Sequence, residues 1–152
     1  MSKTYTYNFP MPAITVDCAI FRYNTENNPE VLLIKRKNAP YQGCWALPGG
    51  FMDVNETIEE STNREVLEET GVDITNQAWM KKYKVAIFDN PERDCRQRIV
   101  SILSTVMLLS NVEVNAGDDA DECRWFGLNS LPQLAFDHKD MIKTAIKEQK
   151  IG

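Results

Sequence analysis

The stretch that most restricts this chain runs from Gly49 to Val72, GGFMDVNETIEESTNREVLEETGV. A Pro48-Gly49-Gly50 breaker opens it, and Thr57 to Thr70 contains neither glycine nor proline, so a helical hydrogen-bond ladder can run through without interruption. Asn55 or Thr57 can cap the start, acidic residues fall in the first turn, and Gly71 stands where a left-handed terminating residue belongs. The signals predict a helix over 57–70. Ile58, Thr62 and Val66 recur every four residues and give that helix one face to pack inward. Seven carboxylates lie within these 24 residues, and Glu65, Glu68 and Glu69, at i, i+3 and i+4, project from one helical face. Such a face suits cations, and adjacent glycines at 49 and 50 let the backbone approach another group closely.

The rest of the chain reads as scaffold around this helix. Ala13 to Arg22 is rich in β-branched and apolar residues and predicts a buried strand; Val31 to Arg36 predicts a second, with the polar cluster Asn24 to Pro29 as the turn of a hairpin. Further strands are expected at Lys81 to Phe88, Arg98 to Leu109 and Glu122 to Leu128. Charged Asp89 to Gln97 separates the first two, and the acidic loop Asn111 to Asp121 precedes the third. Ser130-Leu131-Pro132 carries a cap-and-proline pattern that predicts a short helix, and Lys139 to Gln149 a longer one. Residues 1–12, ending Phe9-Pro10-Met11-Pro12, are expected to form an extended lead-in. With no repeat or linker, 152 residues fit a single domain over 1–152, of mixed α+β class, with a mixed β-sheet between helices.

A net charge of −5 argues against a general nucleic-acid surface, which draws on clustered lysine and arginine. The longest apolar run, Ile99 to Leu109, is interrupted by Ser101, Ser104 and Thr105, and the N-terminus has no signal-peptide pattern. A cytoplasmic location without membrane contact is expected. The four cysteines are scattered without a C-x-x-C pair and are expected to be reduced, buried thiols. His138, the single histidine, is expected to have a local structural or capping role.

Gly50, Glu56 and Arg64-Glu65-Val66-Leu67-Glu68-Glu69-Thr70-Gly71-Val72, at their spacing, resemble the complete signature box of the Nudix hydrolases, matching all nine fixed positions. The resemblance implies an α/β/α sandwich. It implies metal ligation by Glu65, Glu68 and Glu69 with the Gly50 carbonyl, Glu56 in an auxiliary place and Arg64 as an orienting partner. Glu65 and Glu122 are its candidates for the catalytic base. Hard oxygen ligands suit Mg²⁺, with Mn²⁺ as a substitute. Bound cations neutralise a diphosphate and acidify the attacking water.

The segments Thr15–Phe21, Leu32–Arg36 and Trp45–Phe51 resemble the ADP-ribose pyrophosphatase-like branch of that family, which also includes sensor domains of NAD-metabolism regulators. Arg93 to Ser101 is similar to the branch's R-D-P-R-G-R-x-x-S segment, with Cys95 and Gln97 in place of proline and glycine, and Gly117–Ala120 and Ala135–His138 also match. Arg36, Phe51, Arg93, Arg96 and Arg98 are the expected substrate contacts, although the arginine loop can equally be tied to nearby aspartates. Trp45 is expected to pack beside the Pro-Gly-Gly turn. The resemblance implies hydrolysis of a nucleoside diphosphate linked to X, first ADP-ribose to AMP and ribose 5-phosphate. Nucleoside triphosphates or nucleotide sugars are alternative substrates, and a non-catalytic ADP-ribose sensor is an alternative of another class. Because the chain ends at Gly152, with no DNA-binding segment after the domain, the enzyme is favoured; a homodimer exchanging Tyr5 to Pro12 is expected.

Overall fold

The computed structural model describes residues 4–75, 84–109, 111–117 and 120–151. Its strands are β1 (Ala13–Tyr23), β2 (Pro29–Arg36), β3 (Trp45–Ala46), β4 (Gly49–Phe51), β5 (Lys84–Phe88), β6 (Ile99–Met107) and β7 (Ala120–Gly127). Two helices, α1 (Ile58–Thr70) and α2 (His138–Gln149), complete the described elements. One mixed sheet runs β3-β2-β1-β6-β5, with β4 paired to β1 and β7 to β2. The β1–β6 pair is parallel from Ala13↔Ile99 to Phe21↔Met107, and the others are antiparallel.

Strand alternation sorts β1 and β2 into two faces. Ala19, Phe21, Val31 and Leu33 pack with Met141, Ile142 and Ala145 of α2. Cys18, Ile20 and Leu32 pack with Val66 of α1. The sheet therefore has a helix on each side, as the mixed pattern of strands and helices predicted.

The sheet is not closed in its middle. Along one edge of β1 the partner changes: Thr15, Val16 and Asp17 pair with Phe51, Gly50 and Gly49 of β4, whereas Phe21, Arg22 and Tyr23 pair with β2. Along the matching edge of β2, Lys35 and Ile34 pair with β3. The two central strands thus diverge, and the short segment 45–51 fills the opening. Strands of two and three residues are too short to carry a period-2 signal, so the sequence shows this segment only as a loop with a breaker.

Helix α1 forms where its local signals place it. Thr57 caps it with a full capping box to Glu60, and Gly71 terminates it at φ 71° in the left-handed region. Gly117 lies so close to the end of α1 that a Cβ there would overlap the Glu68 carbonyl, and Asn115 N–H donates to the Thr70 carbonyl. The acidic loop is thereby docked on the helix terminus.

One predicted element does not form. Ser130 to Pro132 is a bend followed by extended chain: Trp45 N–H donates to the Gln133 carbonyl and Ala135 N–H to the Trp45 carbonyl, with Leu134 bridging Trp45 in parallel. A serine followed by proline serves a turn as well as a helix start, and here β3 takes the backbone groups. Residues 81–83 of the expected Lys81–Phe88 strand lie outside the described residues, as do Asp118 and Asp119. Of the four free cysteines only Cys18 is fully buried, and Cys95 is exposed. Among the described residues no helix is long and apolar enough to cross a membrane.

Replacing Thr57 by alanine removes the hydroxyl half of the capping box, leaving the Thr57 N–H bond to Glu60, and is expected to lower stability by about 1 kcal/mol, a fall in Tm of roughly 2–4 °C, measured by thermal and urea denaturation.

Candidate active site

The glycine pair of β4 marks the centre of the site. Register puts Gly50 opposite Val16 and Gly49 opposite Asp17, so the two glycines face opposite sides of the sheet. On the α1 side, a Cβ at Gly50 would stand 2.6 Å from Glu65 Oε1. At Gly49 a Cβ would stand 2.1 Å from the Val16 carbonyl oxygen and, on the α2 side, 2.8 Å from Asp17 Oδ1. Glycine at both positions is what lets a carboxylate press on the backbone from each face.

Helix α1 turns Glu65 and Glu69, one turn apart, towards this segment. Glu69 is buried, and its Oε2 accepts the Gly49 N–H at 2.9 Å. Burial raises the Glu65 pKa, with the Arg64 guanidinium opposing the shift. Glu68 sits at the rim with its side chain 59% exposed. Arg64 organises the group: Nε and Nη2 donate to the two Glu56 oxygens at 2.5 and 2.9 Å, Nη1 to Glu65 at 2.8 Å and Glu68 at 3.3 Å, and Nη2 also to the Phe51 carbonyl at 3.2 Å. The bidentate Arg64 bond is the leading cause holding the Glu56 carboxyl at about 2. Among the described residues no three histidine, cysteine, aspartate or glutamate side chains converge as a ready cage for an ion. The donor set nevertheless suits a hard divalent cation: a buried and a half-buried carboxylate one turn apart, backbone free of side chain at Gly50, and open space beside them.

That space is a cleft of two joined chambers. The outer one, about 980 Å³ and open to solvent, is lined by Glu65, Glu69, Arg64 and Asp53. The inner one is lined by Thr15, Asp17, Arg93, Asp94, Phe136 and His138. Arg36, Arg96, Phe51, Glu69 and the glycine pair border both. The cleft therefore passes through the opening between β1 and β2, from the α1 side to the α2 side.

At the junction two cations stand together. Arg36 donates from Nε to the Pro40 carbonyl at 2.8 Å and lies 5.0 Å from the Phe136 ring centroid; burial, then Arg96, lowers its pKa. Arg96 lies 5.2 Å from the Phe51 centroid and 5.4 Å from that of Phe136, held by Asp94 through bonds of 3.0 and 2.7 Å. Such a pair offers guanidinium donors to an anion.

The structure therefore brings Gly50, Phe51, Arg36, Arg64, Glu65, Glu69, Arg93 and Arg96 to one cleft, with Glu68 at its edge. Arg93 is nearly buried and tied to Asp137 at 2.9 and 2.6 Å, so it is wall more than donor. Arg98 lines neither chamber and donates to the Ile99 carbonyl. Glu122 is also away from the cleft: pairing sets it opposite Lys35, where it accepts from Lys35 at 3.2 Å and Arg124 at 2.7 Å. Trp45 packs edge-on against Phe126, outside the cleft, as expected. His138 accepts the Leu47 N–H on Nδ1 at 2.9 Å, a structural bond to a segment distant in sequence instead of the local or capping role expected of it. Asp17, Thr15, Asp94 and Phe136 were missed as site residues. An aspartate within the apolar run AITVDCAIF was the available signal, because a buried carboxylate needs a partner.

A model of the NUDIX domain matches residues 11–145. The chain belongs to the Nudix family, whose hydrolases generally use divalent metal ions. It is 44% identical to an ADP-ribose pyrophosphatase of Methanocaldococcus jannaschii, over 87% of this chain and 72% of that protein. It is 32% identical to an ADPR responsive transcriptional repressor of Acinetobacter baylyi, over 91% of this chain but only 54% of the repressor. The NUDIX domain of NrtR from Shewanella oneidensis, solved with ADP ribose, superposes with a TM-score of 0.80 at 29% identity, covering 93% of this chain and 90% of that one.

The depressed Glu56 carboxyl contributes stability that is present above its ordinary pKa of 4.5 and lost as pH falls towards about 2. Glu56→Gln is expected to flatten the pH dependence of unfolding free energy across that window, measured by urea denaturation at successive pH values.

Proposed function

We propose that this protein hydrolyses ADP-ribose to AMP and ribose 5-phosphate, using Mg²⁺, with Mn²⁺ able to replace it. The observation that carries this reading is the continuity of the cleft, which joins the α1 carboxylates to a pair of arginines and then to an inner chamber. The similarity to an ADP-ribose pyrophosphatase over most of both chains supports the substrate.

Glu65, Glu68 and Glu69, with the Gly50 backbone, are the groups that would hold the metal. When bound, a divalent cation offsets the diphosphate charge and lowers the pKa of water. Arg36 and Arg96 bind the diphosphate oxygens, and Phe51, 42% exposed at the rim, offers a ring face to the base. Arg64 keeps Glu65 in its rotamer and takes no part in proton transfer, because a guanidinium stays charged. Glu65, half-buried beside the Gly50 backbone, is the carboxylate assigned to receive the proton of the attacking water. Water oxygen bonds to phosphorus, the bridging P–O bond breaks, and the leaving phosphate departs. Glu122, engaged by Lys35 and Arg124, is given no role.

Repressor relatives favour a competing reading, binding of ADP-ribose without turnover. A panel of ADP-ribose, nucleotide sugars and nucleoside triphosphates with Mg²⁺, followed by product chromatography, separates the two. AMP and ribose 5-phosphate are expected; tight binding with no turnover of any diphosphate establishes the sensor. Glu65→Gln and Glu69→Gln are each expected to lose about 100-fold or more in kcat, whereas Glu122→Gln stays within about twofold.

The working protein is proposed to be a cytoplasmic homodimer. Tyr5, Tyr7, Phe9 and Met11 alternate along the lead-in and are 51–78% exposed, an apolar stripe that a second copy would cover. Light scattering is expected to give twice the chain mass, and a concentration-independent monomer counts against the dimer.

A further inference from the structure

We infer that the inner chamber is a sugar site in which Asp17 sets specificity, accepting hydrogen bonds from the hydroxyls of X and rejecting an anionic X. The inference rests on the cleft being a nucleoside diphosphate site and specifies which X it takes.

Alternation along β1 places Thr15 and Asp17 on the face that carries Ala19 and Phe21, at the floor of the inner chamber. Asp17 is buried, and its Oδ2 accepts a short hydrogen bond from Ser101 Oγ, which fixes the plane of the carboxylate. Oδ1 accepts no hydrogen bond among the described residues, and His138 Nε2 stands 3.5 Å away. The Leu47 N–H occupies His138 Nδ1, so the ring proton lies on Nε2, and burial keeps the imidazole neutral by lowering its pKa. Access to Oδ1 is open because residue 49 is glycine, whose missing Cβ would stand 2.8 Å from it. A buried carboxylate oxygen with a spare lone pair facing a cavity is expensive unless a donor meets it. Sugar hydroxyls are such donors, and the Thr15 hydroxyl beside Asp17 can complete a polyol contact.

Beyond Arg36, whose Nε is taken by the Pro40 carbonyl at the mouth, charge in the depth of the chamber favours a neutral occupant. Arg93 is neutralised by Asp137 and Arg96 by Asp94, each through two bonds. Among the described residues Asp17 makes no ion pair with either arginine of the junction; Arg36 and Arg96 act on it only at longer range, and its near neighbours are a serine and a neutral histidine. An additional phosphate or carboxylate entering past the two arginines would meet this negative floor, whereas ribose would not. The chamber thus separates ADP-ribose from nucleoside triphosphates, whose X is itself phosphate.

The test compares kcat and KM for ADP-ribose and ATP in the wild type, Asp17→Asn and Thr15→Val, alongside calorimetric binding of both ligands. Wild type is expected to favour ADP-ribose. Asp17→Asn is expected to raise KM for ADP-ribose about tenfold with a smaller change in kcat, and to narrow the preference over ATP by a similar factor. Thr15→Val, which removes only a hydroxyl, serves if Asp17→Asn does not fold, and is expected to raise KM for ADP-ribose while sparing kcat. Unchanged KM in a folded Asp17→Asn, or equal use of ATP and ADP-ribose by the wild type, overturns the inference. If the wild type turns over no diphosphate, the hydrolase reading falls alone. Calorimetry then decides: ADP-ribose weakened about tenfold by either substitution upholds the sugar site, and equal affinities overturn it.

Discussion

Two carboxylates press on one short backbone segment from opposite faces of a sheet, and the site depends on that segment carrying no side chains. Gly50 meets Glu65 on the α1 side and Gly49 meets Asp17 on the α2 side. A Cβ at Gly50 would push the Glu65 carboxylate away, and one at Gly49 would collide with the Val16 carbonyl of the neighbouring strand before it reached Asp17. The same segment holds the opening between β1 and β2, since β4 pairs with β1 where β2 has left it, and Gly49 N–H anchors Glu69. Sheet topology, helix docking and cleft shape are therefore coupled through two residues.

Electrostatics then divides the cleft. On the α1 side, Glu56, Glu65 and Glu68 share the guanidinium of Arg64, which limits the repulsion of carboxylates crowded within one turn. A divalent ion would complete this neutralisation and leave Arg64 to fix geometry. At the junction Arg36 and Arg96 supply positive charge, with the aromatic rings of Phe51 and Phe136 beneath their flat faces. Beyond them the charge turns negative again at Asp17. A molecule that is anionic in its middle and hydroxylated at one end fits this sequence of charges, which is the physical content of the ADP-ribose proposal.

Much of α1 was legible because its signals are local. Thr57, Glu60 and Gly71 act within a turn of themselves, and the helix begins and ends with them. The hairpin of β1 and β2 was legible for a similar reason: the Asn24 side chain accepts from the N–H groups of Glu26 and Asn28 and builds the turn. What could not be read depends on partners distant in sequence. β3 and β4 are strands only because β2 and β1 present edges to them, and the Ser130–Pro132 segment extends because Trp45 takes its neighbours' backbone groups. Arg93 and Arg96 are the same residue type three positions apart, yet Asp137 buries one in the wall while the other faces the cleft. Glu122, a candidate base by resemblance, lies outside both chambers because strand pairing aligns it with Lys35.

The central claim is that one substrate spans both chambers across the glycine pair. A crystal structure with a non-hydrolysable ADP-ribose analogue and Mg²⁺ tests it most directly. The account predicts the ion against Glu65 and Glu69, the diphosphate between Arg36 and Arg96, and the distal ribose against Thr15 and Asp17. An analogue bound with its diphosphate away from the glycine pair, or with the inner chamber left to solvent, would contradict it.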